Sequence, residues 1–132
     1  WEGRHKGSLI DAEGYLLSCY RYIELNPVTA CMVSKPEEYP WSSFRFNALG
    51  EPDSLISPHS LFEALAVNGV DRSIAYRDLF RFSLPEQARN DIAKCLSASQ
   101  ILGSGRFREK VESALGRKAG KVGKGRPVGS LN

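Results

Sequence analysis

The chain has 132 residues, 42% of them hydrophobic and 25% charged, with a formal net charge of +3; this is the make-up of one domain or one and a half, long enough to bury a core. No apolar run reaches the length of a membrane span and no signal-peptide pattern is present, which predicts a cytoplasmic protein with no membrane partner. Cys19, Cys31 and Cys95 are odd in number and widely spaced, which argues against a disulfide framework or a structural zinc site; Cys19 and Cys31 read as buried free thiols.

In chain order, Trp1 to Ile10 ends in Lys6-Gly7-Ser8-Leu9-Ile10 and reads as a strand. A lone strand has unpaired edges, so it is left disordered, pairs with a second copy in a swapped or simple homodimer, or folds onto the helices. Asp11 to Val33 is the element around which the chain is organised. Tyr15, Leu16, Cys19, Tyr22 and Ile23 follow the i, i+1, i+4, i+7, i+8 pattern of a helix with one buried stripe. Asp11 is placed to cap its start, and the helix is predicted to stop at Asn26-Pro27, because proline cannot donate to a continuing ladder.

Tyr22 and Asn26, four apart on that helix, share a face and can point at one spot. A tyrosine can act as a covalent nucleophile, although a free phenol ionises only at a pH of roughly 10 and needs help at neutral pH. An asparagine oxygen is a neutral ligand suited to a hard cation such as magnesium. By spacing alone the pair reads rather as a core tyrosine followed by a helix stop. Glu24, between them, reads as an outward neighbour with no role.

Ser34 to Pro40 is turn chemistry, and Trp41-Ser42-Ser43-Phe44-Arg45-Phe46 is predicted to be a short helix led by aromatic anchors, which either pack or, with Arg45, offer stacking to nucleic-acid bases. Gly50 to Asp53 makes a polar turn. Ser57-Pro58 marks a helix start ahead of Leu61, Phe62, Leu65 and Ala66. His59, in its first turn, reads as exposed or locally bonded. Asn68-Gly69 ends that helix, and Asp71 caps the next, whose predicted apolar side is Ile74, Ala75, Leu79 and Phe80. Leu84-Pro85-Glu86 opens a third, through Ala88, Ile92, Ala93 and Leu96, giving a small bundle.

Ser104 caps a last helix with Phe107, Val111 and Leu115 inward and Arg106, Arg108 and Lys110 as candidate DNA contacts. With the preceding helix it forms either a helix-turn-helix or a solvated basic face. From Gly103 to the end there are eight basic residues against two acidic ones, +6, which leaves −3 for the rest. Such an asymmetry points to a polyanion, with nucleic acid the usual one. Past Gly116 the glycines and lysines read as a flexible basic tail. Within it Lys124-Gly125-Arg126-Pro127 is similar to the Gly-Arg-Pro core of an AT-hook, and Lys124 and Arg126 are candidate DNA contacts there, either in the minor groove or as generic phosphate binders.

The run Arg21-Tyr22-Ile23-Glu24-Leu25-Asn26-Pro27-Val28, then Ala30, Met32 and Val33, then Tyr39-Pro40-Trp41-Ser42-Ser43-Phe44, resembles the REP-associated tyrosine transposases, a bacterial branch of the single-tyrosine HUH transposases. Trp1-Glu2-Gly3-Arg4-His5-Lys6 resembles what precedes this helix in that family. The resemblance implies a tyrosine that attacks a DNA phosphorus, leaving a 5′-phosphotyrosine, and a divalent ion, Mg2+ or Mn2+, held by two histidines of an HUH motif and a polar residue four positions after the tyrosine. On that basis Tyr22 matches the nucleophile and Asn26 the third metal ligand. His5 and His59 form no His-x-His pair, so the chain reads as the C-terminal part of a longer protein, inactive alone and without most of the metal site.

The expected fold is therefore mainly α: residues 1–50 as the C-terminal part of an α+β HUH catalytic domain, with one residual strand and the nucleophile helix; 51–116 as a helical extension; and 117–132 as the basic tail. The expected partner is single-stranded or hairpin DNA. A helical DNA-binding module without catalysis is the alternative, and a helical protein-interaction domain is a third option.

Overall fold

The computed structural model describes residues 5–119, and these are mainly helical. Lys124, Arg126 and the AT-hook-like segment lie outside the described residues, as does the start of the predicted strand. Among the described residues six α-helices follow in order: α1 (Ala12–Thr29), α2 (Phe44–Leu49), α3 (Ser60–Glu63), α4 (Gly69–Asp78), α5 (Glu86–Ala98) and α6 (Gly105–Leu115). Among the described residues no helix is long and apolar enough to cross a membrane.

The predicted strand reduces to a single parallel bridge between Ile10 and Leu102. Leu102 N–H donates to Leu9 O at 2.9 Å, Asp11 N–H donates to Leu102 O at 2.7 Å, and Ser8 Oγ donates to Cys95 O at 2.8 Å. Of the three outcomes open to this segment, residues 8–10 take the third and fold onto the helices. The bridge falls in the connection between α5 and α6.

Helix α1 does not stop at Pro27. It runs one residue pair further, to Thr29, with Pro27 buried inside its last turn. Proline forfeits one N–H bond and crowds the carbonyl four residues back, but later donors resume the ladder, Ala30 N–H bonding Asn26 O at 2.8 Å. The helix closes in a Schellman motif, with Met32 N–H on Pro27 O and Cys31 N–H on Val28 O. Cys31 holds the left-handed position at φ 55°. Being past the helix end, Cys31 is exposed, contrary to its reading as a buried thiol.

Helix α1 is buried on two faces, where one stripe was predicted. Tyr15, Cys19 and Tyr22 pack with Ile10, Leu84, Ile92 and Leu102. Leu17 and Tyr20 pack on the other side, with Phe44, Ala48, Phe62 and Tyr76. Ile23, assigned to the stripe, is 55% exposed. The second cluster is aromatic: Phe44 meets Phe80 edge-on at 5.1 Å, and Tyr76 meets Phe62 at 5.4 Å and Phe80 at 5.5 Å between ring centroids, the edge-to-face geometry that ring quadrupoles favour.

Several starts also move. The short aromatic helix begins at Phe44, leaving Trp41 83% exposed and so no core anchor, while Arg45 Nε donates to Glu37 O at 3.0 Å. His59, and not Ser57, caps α3, its Nδ1 accepting from Leu61 N–H at 3.1 Å. Asn68, not Asp71, caps α4. Its Oδ1 accepts from Asp71 N–H at 2.8 Å, and its amide donates to the Asp71 carboxylate at 2.6 Å. The α4 residues turned inward are Ser73 and Tyr76, with Ile74 half exposed. Pro85 and Ser104 mark the starts of α5 and α6 as predicted, but Ala93, Leu96 and Leu115, expected inside, are exposed.

Candidate functional site

Residues two apart on an α-helix point about 200° apart, so Tyr22 and Glu24 face opposite sides of α1. Glu24, expected outward, is fully buried. Its Oε1 accepts from Ser43 Oγ at 2.6 Å and Asn47 Nδ2 at 2.8 Å, and its Oε2 accepts from Tyr76 Oη at 2.7 Å. A charged residue enters a core only when its lone pairs are met, and here α2, its preceding turn and α4 meet them. Burial raises the Glu24 carboxyl above its ordinary value, against the opposing pull of the three donors. Burial and the neighbouring Glu24 likewise push the Tyr76 phenol up.

The opposite side of α1 carries the sequence-predicted pair. Tyr22 and Asn26 line one cavity of about 390 Å³, closed by the segment after α4 and by α5. Tyr22 is half-buried and Asn26 exposed. Neither the Tyr22 hydroxyl nor the Asn26 amide hydrogen-bonds another described side chain or backbone group. Phe82 and Ser83 form one wall, and Arg89 and Asn90, from the start of α5, form another. Sequence reasoning singled out none of these four. A basic and an amide residue on the outer face of a helix carry no local signal, and Phe82 is placed by the chain's path beyond α4.

Arg21 joins the two sides. Its guanidinium donates to the Phe82 carbonyl and lies over the Phe80 ring, 5.6 Å from the centroid, a cation–π arrangement. Its Nε is buried with no partner among the described residues, and desolvation lowers its pKa from the usual guanidinium value. The wall of the Tyr22 cavity is thus held from the residue next to Tyr22.

The lining has hydroxyls, two amides and a guanidinium, and no carboxylate or histidine. Hard divalent cations are held by several oxygen ligands, usually with carboxylates among them, and among the described residues no group of three His, Cys, Asp or Glu side chains converges. These residues alone do not make a divalent-ion site; Asn26 supplies at most one ligand. The donor-rich, acid-free lining suits an anion. Of the other candidates, Arg106, Arg108 and Lys110 are all exposed on α6, and Arg108 borders a separate cleft of about 310 Å³ with Tyr15, Asp91 and Lys94. They do not join the Tyr22 cavity.

Comparison with family models, with curated proteins and with solved structures gives no match to the chain.

Proposed function

We propose that this chain is the nucleophile-bearing part of a DNA transposase that cleaves and rejoins single-stranded, hairpin-type DNA through a 5′-phosphotyrosine intermediate. The observation that carries the reading is that Tyr22 and Asn26, matched to the transposase tyrosine and its companion by resemblance, open into one cavity lined by anion-compatible groups. In the reaction, the Tyr22 hydroxyl loses its proton to solvent or a base and its oxygen attacks phosphorus. The Oη–P bond forms and the P–O3′ bond breaks, and the departing O3′ takes a proton to become a free 3′-hydroxyl. Asn26 and Asn90 offer amide donors to the phosphate oxygens, and Arg89 offers positive charge as theirs builds. A divalent ion would need ligands beyond this lining.

The test is cleavage of labelled hairpin DNA with magnesium or manganese by the longer protein that the resemblance implies, wild type against Tyr22→Phe. Phenylalanine keeps the packing and removes only the attacking oxygen. Loss of the covalent adduct with binding intact supports the reading, and equal cleavage rejects it.

The exposed Arg106, Arg108 and Lys110 on α6 favour a second reading, a helical DNA-binding module in which Tyr22 is structural. Hairpin binding with no adduct from the wild type selects it.

A further inference from the structure

Taking single-stranded DNA as substrate from the reading above, we propose that Phe82 and Arg89 form a nucleotide subsite beside Tyr22, in which the Phe82 ring stacks on a base and Arg89 holds the adjoining phosphate. Phe82 is 76% exposed, although the next residue but one, Leu84, is buried at 5%. The ring stands in water on a backbone that is not free to move, because the Phe82 carbonyl accepts from Arg21 and Leu84 anchors the other side. A ring presented on a fixed backbone is pre-organised for a planar partner.

Arg89 reaches the same cavity from the first turn of α5, where its N–H bonds Pro85 O at 3.0 Å. Its side chain is exposed and makes no ion pair among the described residues, so its five donors are open to a phosphate. A volume of about 390 Å³ lies in the range of small-ligand sites, and an aromatic face beside a guanidinium is the pairing by which single strands are gripped: stacking for the base, charge for the backbone. An acidic protein segment would use Arg89 but would gain little from an exposed ring face, and it is an outcome of the test.

The experiment is fluorescence anisotropy of a short 5′-labelled oligothymidylate with the full chain across a salt series, using Phe82→Ala, Phe82→Trp and Arg89→Gln. Phe82→Ala should weaken binding roughly tenfold to a hundredfold, the range found for loss of one stacked base, with the salt slope unchanged. Phe82→Trp should restore it. Arg89→Gln should weaken binding and reduce the salt slope by about one, as expected for one lost phosphate contact. Unchanged affinity in Phe82→Ala, loss that tryptophan does not restore, or a wild-type chain that ignores the oligonucleotide overturns the subsite; the last outcome, with an acidic peptide bound through Arg89, replaces it by a protein partner. Failure of the transposase reading is separate: it is read from the Tyr22 adduct, and a chain that binds through Phe82 without ever forming that adduct keeps the subsite.

Discussion

Tyr76 donates its hydroxyl hydrogen to Glu24 Oε2 at 2.7 Å, joining α4 to α1 across 52 positions of sequence. Both side chains are fully buried, and with Ser43 and Asn47 they make α1, α2 and α4 one polar-locked unit. The side of α1 that carries Tyr22 is therefore presented by a helix whose rotation is fixed from behind.

Truncating that carboxylate should be among the most damaging single changes. Glu24→Ala leaves the Tyr76 hydroxyl and Asn47 amide without their acceptor, and each unmet buried group costs about 1–3 kcal/mol, so a loss of roughly 3 kcal/mol is expected in urea denaturation. Glu24→Gln keeps the shape and can be met if Tyr76 turns from donor to acceptor, so about 1 kcal/mol is expected. Equal losses in the two variants would mean that packing, not hydrogen bonding, is what Glu24 supplies.

Acid should favour the wild type over Glu24→Gln. Burial holds the folded Glu24 carboxyl above its ordinary value, so the folded state binds that proton more tightly than the unfolded chain. Its contribution to stability is then greatest below the unfolded carboxyl pKa and declines as pH rises through the elevated folded value. The stability difference between wild type and the glutamine variant, followed by denaturation from neutral to acidic pH, should move in favour of the wild type. A flat difference would show that Glu24 titrates alike in both states.

How legible these features were depended on whether their cause was local. Pro85 and Ser104 announce α5 and α6 because a helix start is written within one turn. The facing of α1 was not legible. Glu24 looked outward because charge usually is, and its donors sit 19, 23 and 52 residues away, beyond any periodicity. Pro27 was read as a stop because the burial and the Schellman closure that let the helix pass it depend on tertiary packing. Tyr22 and Asn26 were legible as a pair by their spacing. Phe82, Arg89 and Asn90, which complete their cavity, come from other elements and became visible only once the chain had folded back.

The helix end offers a stabilising change. Cys31 occupies the left-handed region at φ 55°, a conformation that costs an ordinary residue roughly 1–2 kcal/mol. Cys31→Gly removes that strain, partly offset by the greater freedom of glycine in the unfolded chain, and a gain of about 0.5–1 kcal/mol is expected. Cys31→Val should move the melting temperature the opposite way, its branched Cβ fitting the left-handed region worst. The two cysteines also separate by reactivity. Cys31 is exposed, whereas burial and the nearby Cys95 push the Cys19 thiol up to about 11, so a thiol reagent at pH 8 should modify Cys31 promptly and Cys19 only on unfolding.

Gly103 leaves no room for a side chain. A Cβ there would lie 2.6 Å from Phe107 Cδ1 and 2.9 Å from Asp11 Cβ. The Phe107 ring can turn aside, but Asp11 is tied through its N–H to Leu102 O. Gly103→Ala should therefore destabilise by about 1–3 kcal/mol, the usual cost of overpacking, and should raise amide hydrogen exchange at Asp11 and Leu102 first. Wild-type exchange at those two amides would show that the bridge holding α6 to the start of α1 does not depend on this close approach.

Arg21 is the residue through which the fold reaches the cavity wall. Lysine at this position keeps the charge but loses the planar fork that meets the Phe82 carbonyl while lying over Phe80. Arg21→Lys should cost about 1 kcal/mol of global stability, the net worth of one ordinary hydrogen bond, because this one is exposed to solvent, and it should have a larger local effect. The segment between α4 and α5 carries Arg81, whose side chain is 75% exposed, so the bond after it is open to trypsin once the segment loosens. Limited proteolysis should cut there several-fold faster in Arg21→Lys than in wild type under conditions where both are folded, as local opening and not global unfolding governs the rate. If the wall does position a base against Phe82, the same variant should also weaken oligothymidylate binding while leaving its salt slope intact. Unaltered cleavage after Arg81 would place the rigidity of this wall in Leu84 and the core beneath it.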